Sequence, residues 1–170
     1  IWNEPENAPD HAENQMWWGT KEEYFELYDT ASKHLKACFP ELRIGGYASC
    51  GFYAILEKEA DPAAKCSPRT QYFLDFFDDF LAYIRAHGSP FDFFSWHSYA
   101  GIRDTIRFAA YARKKLDDAG YTNVEHTCNE WNCEPALRGT LRHAANTAGM
   151  LLALQDTTLD SAMFYDARCG

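Results

Sequence analysis

Phe91-Asp92-Phe93-Phe94-Ser95-Trp96-His97-Ser98-Tyr99 is the stretch on which the fold turns. Its apolar residues run on rather than alternate, as expected of a strand covered by helices on one side and by a core on the other. Its polar residues gather instead at the C-terminal end, in His97-Ser98-Tyr99. The same arrangement recurs outward in both directions. Residues 1–4 read as the end of a strand whose beginning is absent, closing on Asn3-Glu4. Residues 122–130 read as a strand that runs into Glu130-Trp131-Asn132, and 161–166 as a strand that finishes at Tyr165-Asp166.

The segments between these strands carry helical patterns. Residues 5–19 form a loop rich in Pro, Asn and aromatic side chains, including Trp17 and Trp18. Thr20 and Glu23 then stand at capping-box spacing, where hydroxyl and carboxylate each satisfy a free backbone N–H. Tyr24, Phe25, Leu27, Tyr28, Ala31, Leu35 and Cys38 make one apolar stripe, and Pro40 stops the helix. Leu42-Arg43-Ile44-Gly45-Gly46 reads as a short strand whose glycines permit a tight exit or a close approach. A loop punctuated by Pro62 and Pro68 follows. A second helix spans 71–86 with a broad apolar face and Gly88 as its cap, a third spans 102–119 with Gly120 beyond it, and a fourth spans 137–155. After the opening fragment the order is α-β-α-β-α-β-α-β.

Such alternation means parallel strands joined by right-handed crossover helices, in a doubly wound sheet or a (β/α)8 barrel. A nucleotide-binding doubly wound sheet would be supported by Gly-x-Gly-x-x-Gly or a phosphate loop, and neither occurs. The clustering of polar and aromatic residues at strand C-termini favours the barrel, whose active face lies there. On that face Glu4 and Glu130 can meet. A facing carboxylate pair is what hydrolysis of a glycosidic bond needs, one group to protonate the leaving oxygen and one to attack or assist at the anomeric carbon.

Composition sets the outer bounds. The 170 residues are 46% hydrophobic and 16% aromatic, enough for a real core in about one domain's length. A formal net charge of −9, with no offsetting basic cluster, argues against nucleic acid and suits a neutral, sugar-like ligand. No stretch approaches the roughly 18 consecutive apolar residues of a membrane helix. The six cysteines lack any Cys-x-x-Cys pattern, so free thiols and a reducing, cytoplasm-like compartment are expected. No basic segment followed by an apolar run opens the chain, and export is left undecided. A zinc reading of His126, Cys128 and Cys133 is set aside because a structural site wants four ligands in paired short spacings and no second pair is present.

Three motifs together resemble a known group: Trp-Asn-Glu-Pro at 2–5, Ser-Trp-His-Ser-Tyr at 95–99 and Asn-Glu-Trp-Asn at 129–132. They look like the clan A retaining glycoside hydrolases. Within that clan, Trp18-Gly19-Thr20, Glu23-Tyr24-Phe25 with Tyr28-Asp29-Thr30, and Leu42-Arg43-Ile44-Gly45-Gly46 are most similar to glycoside hydrolase family 39, the β-xylosidases and α-L-iduronidases. The resemblance implies that 1–170 form a single partial catalytic barrel domain, from the end of the fourth strand through the eighth. It implies Glu4 as general acid/base, Glu130 as nucleophile, Asn3 at the sugar 2-hydroxyl, Tyr99 positioning the nucleophile and His97 touching the sugar. Where the family commonly carries a tryptophan on its eighth strand, this chain has Phe164-Tyr165-Asp166, which makes Tyr165 the candidate contact there. Among Trp17, Trp18, Trp96 and Trp131 as sugar platforms, Trp131 is the first choice.

The implied reaction is double displacement on a β-linked glycoside or oligosaccharide, with no metal or organic cofactor. It predicts carboxyl groups about 5–5.5 Å apart, against about 6.5–9.5 Å for inversion. Mutual repulsion should raise the pKa of one carboxylate, and Tyr99 should favour ionisation at Glu130. Closure of the barrel would need the missing half or a second copy of the chain. The competing reading is a non-catalytic carbohydrate-binding or structural half-barrel.

Overall fold

The computed structural model describes residues 1–60 and 65–166. Thr20 opens the first helix, α1 (Lys21–Cys38), through the anticipated capping box: its hydroxyl accepts from Glu23 N at 3.2 Å and Glu23 Oε2 accepts from Thr20 N at 2.7 Å. The buried face consists of Tyr24, Phe25, Tyr28 and Ser32, while Cys38 is exposed and lies off the stripe. The strand expected at 42–46 sits later, as β1 (Gly45–Ser49). Gly45 is there for close approach, since a Cβ would lie 2.0 Å from the Phe93 carbonyl oxygen. A seven-residue helix, α2 (Ala54–Ala60), occupies what reads as loop, built of good helix formers between Gly51 and the undescribed residues. Pro62 lies outside the described residues.

The next helix, α3 (Pro68–His87), starts with Ser67 as its cap and Pro68 in the first turn. It ends at Gly88 in the left-handed region, φ 62°. β2 (Phe93–Ser98), α4 (Ile102–Asp118), β3 (Glu125–Trp131), α5 (Leu141–Leu154) and β4 (Ser161–Phe164) complete the order. A turn of 3-10 helix, Pro135–Leu137, ends on Leu137, where the last helix was expected to begin, and Thr140 caps α5 (Leu141–Leu154) instead. The strands form one sheet, β1-β2-β3-β4, parallel throughout. Residues 1–4 are not a strand of it. They run beside β1, with Ile1 N donating to Gly45 O at 2.5 Å and Glu4 N to Ala48 O at 3.1 Å.

Helices cover one side of the sheet through aromatic rings. Phe94 stacks on Phe77 at 4.3 Å between centroids, Tyr47 meets Phe76 and Phe80 edge-on at 5.0 Å each, and Tyr28 meets Phe80 at 4.9 Å. Tyr47, Phe77, Phe80, Phe94, Trp96 and Phe108 are fully buried, and burial of this kind stabilises by about 1.5–3 kcal/mol per large side chain. At the far corner, Leu141, Leu152 and Met163 are 91%, 69% and 54% exposed.

Each strand pair slips by one residue near its C-terminal end. Tyr47 pairs with Ser95 but Ser49 with Trp96, leaving Ala48 as the extra residue at φ 57°. Trp96 pairs with Cys128 but His97 with Glu130, leaving Asn129. Between Cys128 and Trp131 the pairing with β4 slips likewise. A bulge re-aims the side chains that follow it.

Candidate active site

Beyond these bulges the chain brings Glu4, His97 and Glu130 together at the C-terminal end of the sheet. One oxygen of each carboxylate and a ring nitrogen of His97 all lie within 4.8 Å of one another. Glu4 reaches this point from a left-handed backbone, φ 47°, a conformation costing a non-glycine residue about 1–3 kcal/mol and held here by the Glu4 N to Ala48 O bond. Its carbonyl accepts from Asn7 N at 3.1 Å, which turns the chain sharply away after the carboxylate.

Two side chains fix the Glu4 carboxyl. His97 Nδ1 lies 2.8 Å from Oε1, close enough for Nδ1–H to donate to the ionised group, and Asn7 Nδ2 donates to Oε2 at 2.8 Å. Burial pushes the Glu4 carboxyl up, but the hydrogen bond and charge of His97, with help from Asn7 and Cys50, outweigh it and hold Glu4 below its ordinary range. Glu4 is thus lowered, against the expectation that repulsion between the two carboxylates would raise it. The carboxyl pushed up here lies outside that pair: Glu6, two residues on and wholly buried, is raised to about 8, chiefly by burial. Glu6 Oε1 accepts from Cys50 N at 2.7 Å, and its Oε2 has no partner among the described residues.

Glu130 is held differently. Tyr99 OH donates to Oε1 at 2.6 Å, and His97 Nδ1 stands 3.8 Å from the same oxygen. Tyr99 is itself pinned: its N–H donates to Tyr53 OH at 3.0 Å, and the Arg138 guanidinium lies 5.7 Å from its ring centre. Burial and then the bond to Glu130 raise the Tyr99 phenol, so it stays protonated and can only donate. Behind Glu130, Asn132 closes the turn, its Nδ2 donating to Tyr165 O at 2.6 Å and its Oδ1 lying 2.9 Å from His143 Nε2. Two buried polar atoms at this end, His97 Nε2 and Asn129 Oδ1, lack a partner among the described residues.

Of the residues read from sequence, Glu4, His97, Tyr99 and Glu130 converge. Asn3 is half-buried next to Glu4 and makes no hydrogen bond with another described residue, and Tyr165 is 48% exposed just beyond β4. Trp131 is a correction. Its side chain is fully buried and packs edge-on against Phe164 at 5.0 Å, because the bulge that presents Glu130 to the site turns the next residue into the core. Trp96 is likewise core, and Trp17 bonds Thr20 O through Nε1 and packs on Tyr24. Trp18, at 82% exposure, alone of the four presents most of its ring to solvent.

His126, Cys128 and Cys133 do not gather as ligands. His126 Nε2 faces Thr158, Cys128 Sγ faces Glu130 O and Cys133 Sγ faces Glu134 O, and among the described residues the only trio spaced to hold a metal ion is Glu4, His97 and Glu130. Asn7, Tyr53 and Arg138 went unread. Asn7 had a signal, three residues past a carboxylate in a Pro-containing loop, whereas Tyr53 and Arg138 reach Tyr99 only through tertiary structure. No helix among the described residues is long and apolar enough to cross a membrane.

Comparison with known proteins matches residues 1–147 to the family described as Glycosyl hydrolases family 39. A β-xylosidase of Caldicellulosiruptor saccharolyticus is 29% identical over 153 residues, covering 81% of this chain and 25% of that protein. One of Geobacillus stearothermophilus is 29% identical over 118 residues, covering 69% and 18%. The chain thus spans a quarter or less of the length of these relatives. Among solved structures, a family 39 β-xylosidase from Caulobacter crescentus superposes with a TM-score of 0.69 at 22% identity, over 97% of this chain and 31% of that one. A glucosidase from Croceicoccus marinus gives 0.73 at 24%, over 95% and 31%. The parallel sheet with its outer helices is accordingly a partial (β/α)8 barrel, and the chain belongs to glycoside hydrolase family 39.

Proposed function

We propose that this segment carries both catalytic carboxylates of a retaining, β-xylosidase-like glycoside hydrolase. The observation that carries the reading is the approach of Glu4 and Glu130 oxygens within 4.8 Å, short of the about 6.5–9.5 Å that an inverting pair needs for its water. Glu130 attacks the anomeric carbon while Glu4 protonates the departing oxygen, and Glu4 then takes a proton from the water that releases the glycosyl-enzyme. Tyr99 orients Glu130 by its 2.6 Å bond. Asn3, His97 and Tyr165 are the proposed sugar contacts, and the named β-xylosidase relatives support a β-xyloside as substrate.

Held below its ordinary range, the Glu4 carboxyl is ionised near neutral pH, so its proton must arrive with substrate. A sugar that displaces water raises the pKa of a carboxyl beneath it, and the charge on Glu130 adds to this until the glycosyl-enzyme forms and neutralises it. The low proton affinity of Glu4 is also the one feature that favours the competing reading, a non-catalytic carbohydrate-binding half-barrel. We take the chain as one partial catalytic barrel domain whose exposed corner at α5 and β4 is covered by the other strands of the barrel, with a second copy as the alternative cover.

Turnover of a chromogenic β-xyloside by the complete enzyme, with the first-formed sugar followed by NMR, tests the proposal. The β-anomer should appear first. The α-anomer would end the retaining assignment, and sugar binding without turnover would favour the non-catalytic reading.

A further inference from the structure

The chain turns back on Glu4 at once. Asn7 N donates to Glu4 O at 3.1 Å, closing the turn Glu4-Pro5-Glu6-Asn7, and Asn7 Nδ2 donates to Glu4 Oε2 at 2.8 Å. One residue therefore holds both the backbone and the carboxyl of the proposed acid/base. Asn7 is itself pinned from another layer of the fold, since Arg69, in the first turn of α3, donates Nε to Asn7 O at 2.6 Å. Cys50, just past β1, clasps the same turn twice. Its N–H donates to Glu6 Oε1 at 2.7 Å, and its Sγ lies 3.6 Å from Asn7 Nδ2.

His97 Nδ1 takes the other carboxyl oxygen, Oε1, at 2.8 Å, so Glu4 is gripped at both ends. The two grips differ in kind. An imidazole can exchange a proton with a carboxyl, whereas a side-chain amide keeps its hydrogens and offers Glu4 a donor that does not titrate. The titratable and charged groups around this corner are His97 from β2, Glu130 from β3, Cys50 behind β1, Tyr53 just ahead of α2, Glu6 within the turn and Arg69 from α3. Burial keeps the Cys50 thiol and the Tyr53 phenol protonated, and the Glu6 acid is itself pushed up to about 8. Asn7 is thus a constant among partners that gain and lose protons.

We propose that Asn7 is a positioning residue for the acid/base: its amide, braced by Arg69 and Cys50, locks the orientation of the Glu4 carboxyl and favours the carboxylate that must take a proton from water. The assignment rests on the glycosidase reading, which supplies the step in which Glu4 acts as a base. No proton passes through Asn7. It acts on the reaction only through Glu4.

The test compares wild type with Asn7→Leu and Asn7→Asp in the complete enzyme, following kcat/KM for a β-xyloside with a poor leaving group across pH. The alkaline limb reports the acid of the free enzyme. Loss of the amide donor makes Glu4 harder to ionise, so in Asn7→Leu the limb should move up by about one pH unit, the size of one hydrogen bond to a charged group. Asn7→Asp, with the same shape but a carboxylate facing Glu4, should move it at least as far in the same direction. The rate on the acidic plateau should fall by about tenfold as the carboxyl loses its second grip. A residue needed only for folding would lower the rate at every pH and leave the limb in place. An unmoved limb in both variants, shown to be folded by circular dichroism, therefore overturns the assignment. The Glu4 carboxyl can also be titrated directly by carbon-13 NMR in the full chain, where Asn7→Leu should raise its pKa by about as much. A raised Glu4 titration without turnover by the wild-type enzyme would count against the glycosidase reading and leave the hold of Asn7 on Glu4 standing, and turnover with an unmoved titration would do the reverse.

Discussion

The corner around Glu4 and the corner around Glu130 face each other across a few ångströms and are built on opposite plans. Glu4 sits on strained backbone, wrapped by His97, Asn7 and Cys50, with a second, wholly buried carboxyl at Glu6 two residues on. Glu130 sits in β3 just past the bulge at Asn129, and its carboxylate takes one hydrogen bond, from a tyrosine that Tyr53 holds in place. The first corner spends its contacts on setting a proton, and the second on setting a position. That division suits the double displacement proposed above, in which only the acid/base must change protonation state within each turnover.

The widest test of this contrast is to remove each carboxyl from the complete enzyme. Glu130→Ala should abolish turnover of every β-glycoside, a loss of roughly 10⁵-fold or more. Glu4→Ala should cost about 10²–10⁴-fold on glycosides with poor leaving groups and far less on an aryl glycoside whose aglycone departs without a proton. Steady-state rates on both substrate types decide it, and equal losses in the Glu4 variant would erase the distinction between the corners.

A finer test targets position. Tyr99→Phe removes one hydrogen bond to a charged group, worth about 1.5–3 kcal/mol, so kcat should fall roughly ten- to hundredfold. The loss should be alike for activated and unactivated glycosides, because the nucleophile and not the proton is disturbed. A loss confined to poor leaving groups would place Tyr99 with the acid instead.

The last test reads stability rather than rate and concerns the proton-setting corner alone. Glu6 is raised in the fold to about 8 from an unfolded value of 4.5, so the folded protein holds a proton that the unfolded chain releases. Its stabilising contribution is therefore complete below pH 4.5 and is lost as the pH climbs toward 8, by up to about 1.4 kcal/mol per pH unit. Glu6→Gln, which keeps the shape and the neutral state, should flatten that slope in urea unfolding measured across the range. An unchanged slope would mean that Glu6 is ionised in the fold.

Much of this was legible along the chain because it depends on neighbours in sequence. The capping box at Thr20 and Glu23, the left-handed stop at Gly88 and the polar ends of the strands are local chemistry. Convergence of Glu4 and Glu130 was also anticipated, although residues 1–4 reach the sheet's C-terminal end by running beside β1 and not as a strand. Trp131 did not follow: a period-of-two reading cannot anticipate a bulge, and one extra residue at Asn129 decides which neighbour faces the carboxylate cluster and which the core. Nor did α2, too short at seven residues to declare a periodicity, although Tyr53 at its threshold holds Tyr99.

The slipped pairings at Ala48, at Asn129 and between Cys128 and Trp131 also matter for how such a scaffold can vary. Below the slips, the strands are committed to rings such as Phe77, Phe80 and Phe94, where a change of one methylene is felt throughout. Above them, the ladder resumes for only one or two pairs, so a residue gained or lost there can swing a different side chain over the carboxylate cluster while the aromatic contacts among Phe77, Phe80 and Phe94 stay as they are. The slips work as a clutch between two inheritances, letting the side chains around the carboxylate cluster drift while the framework stays in gear.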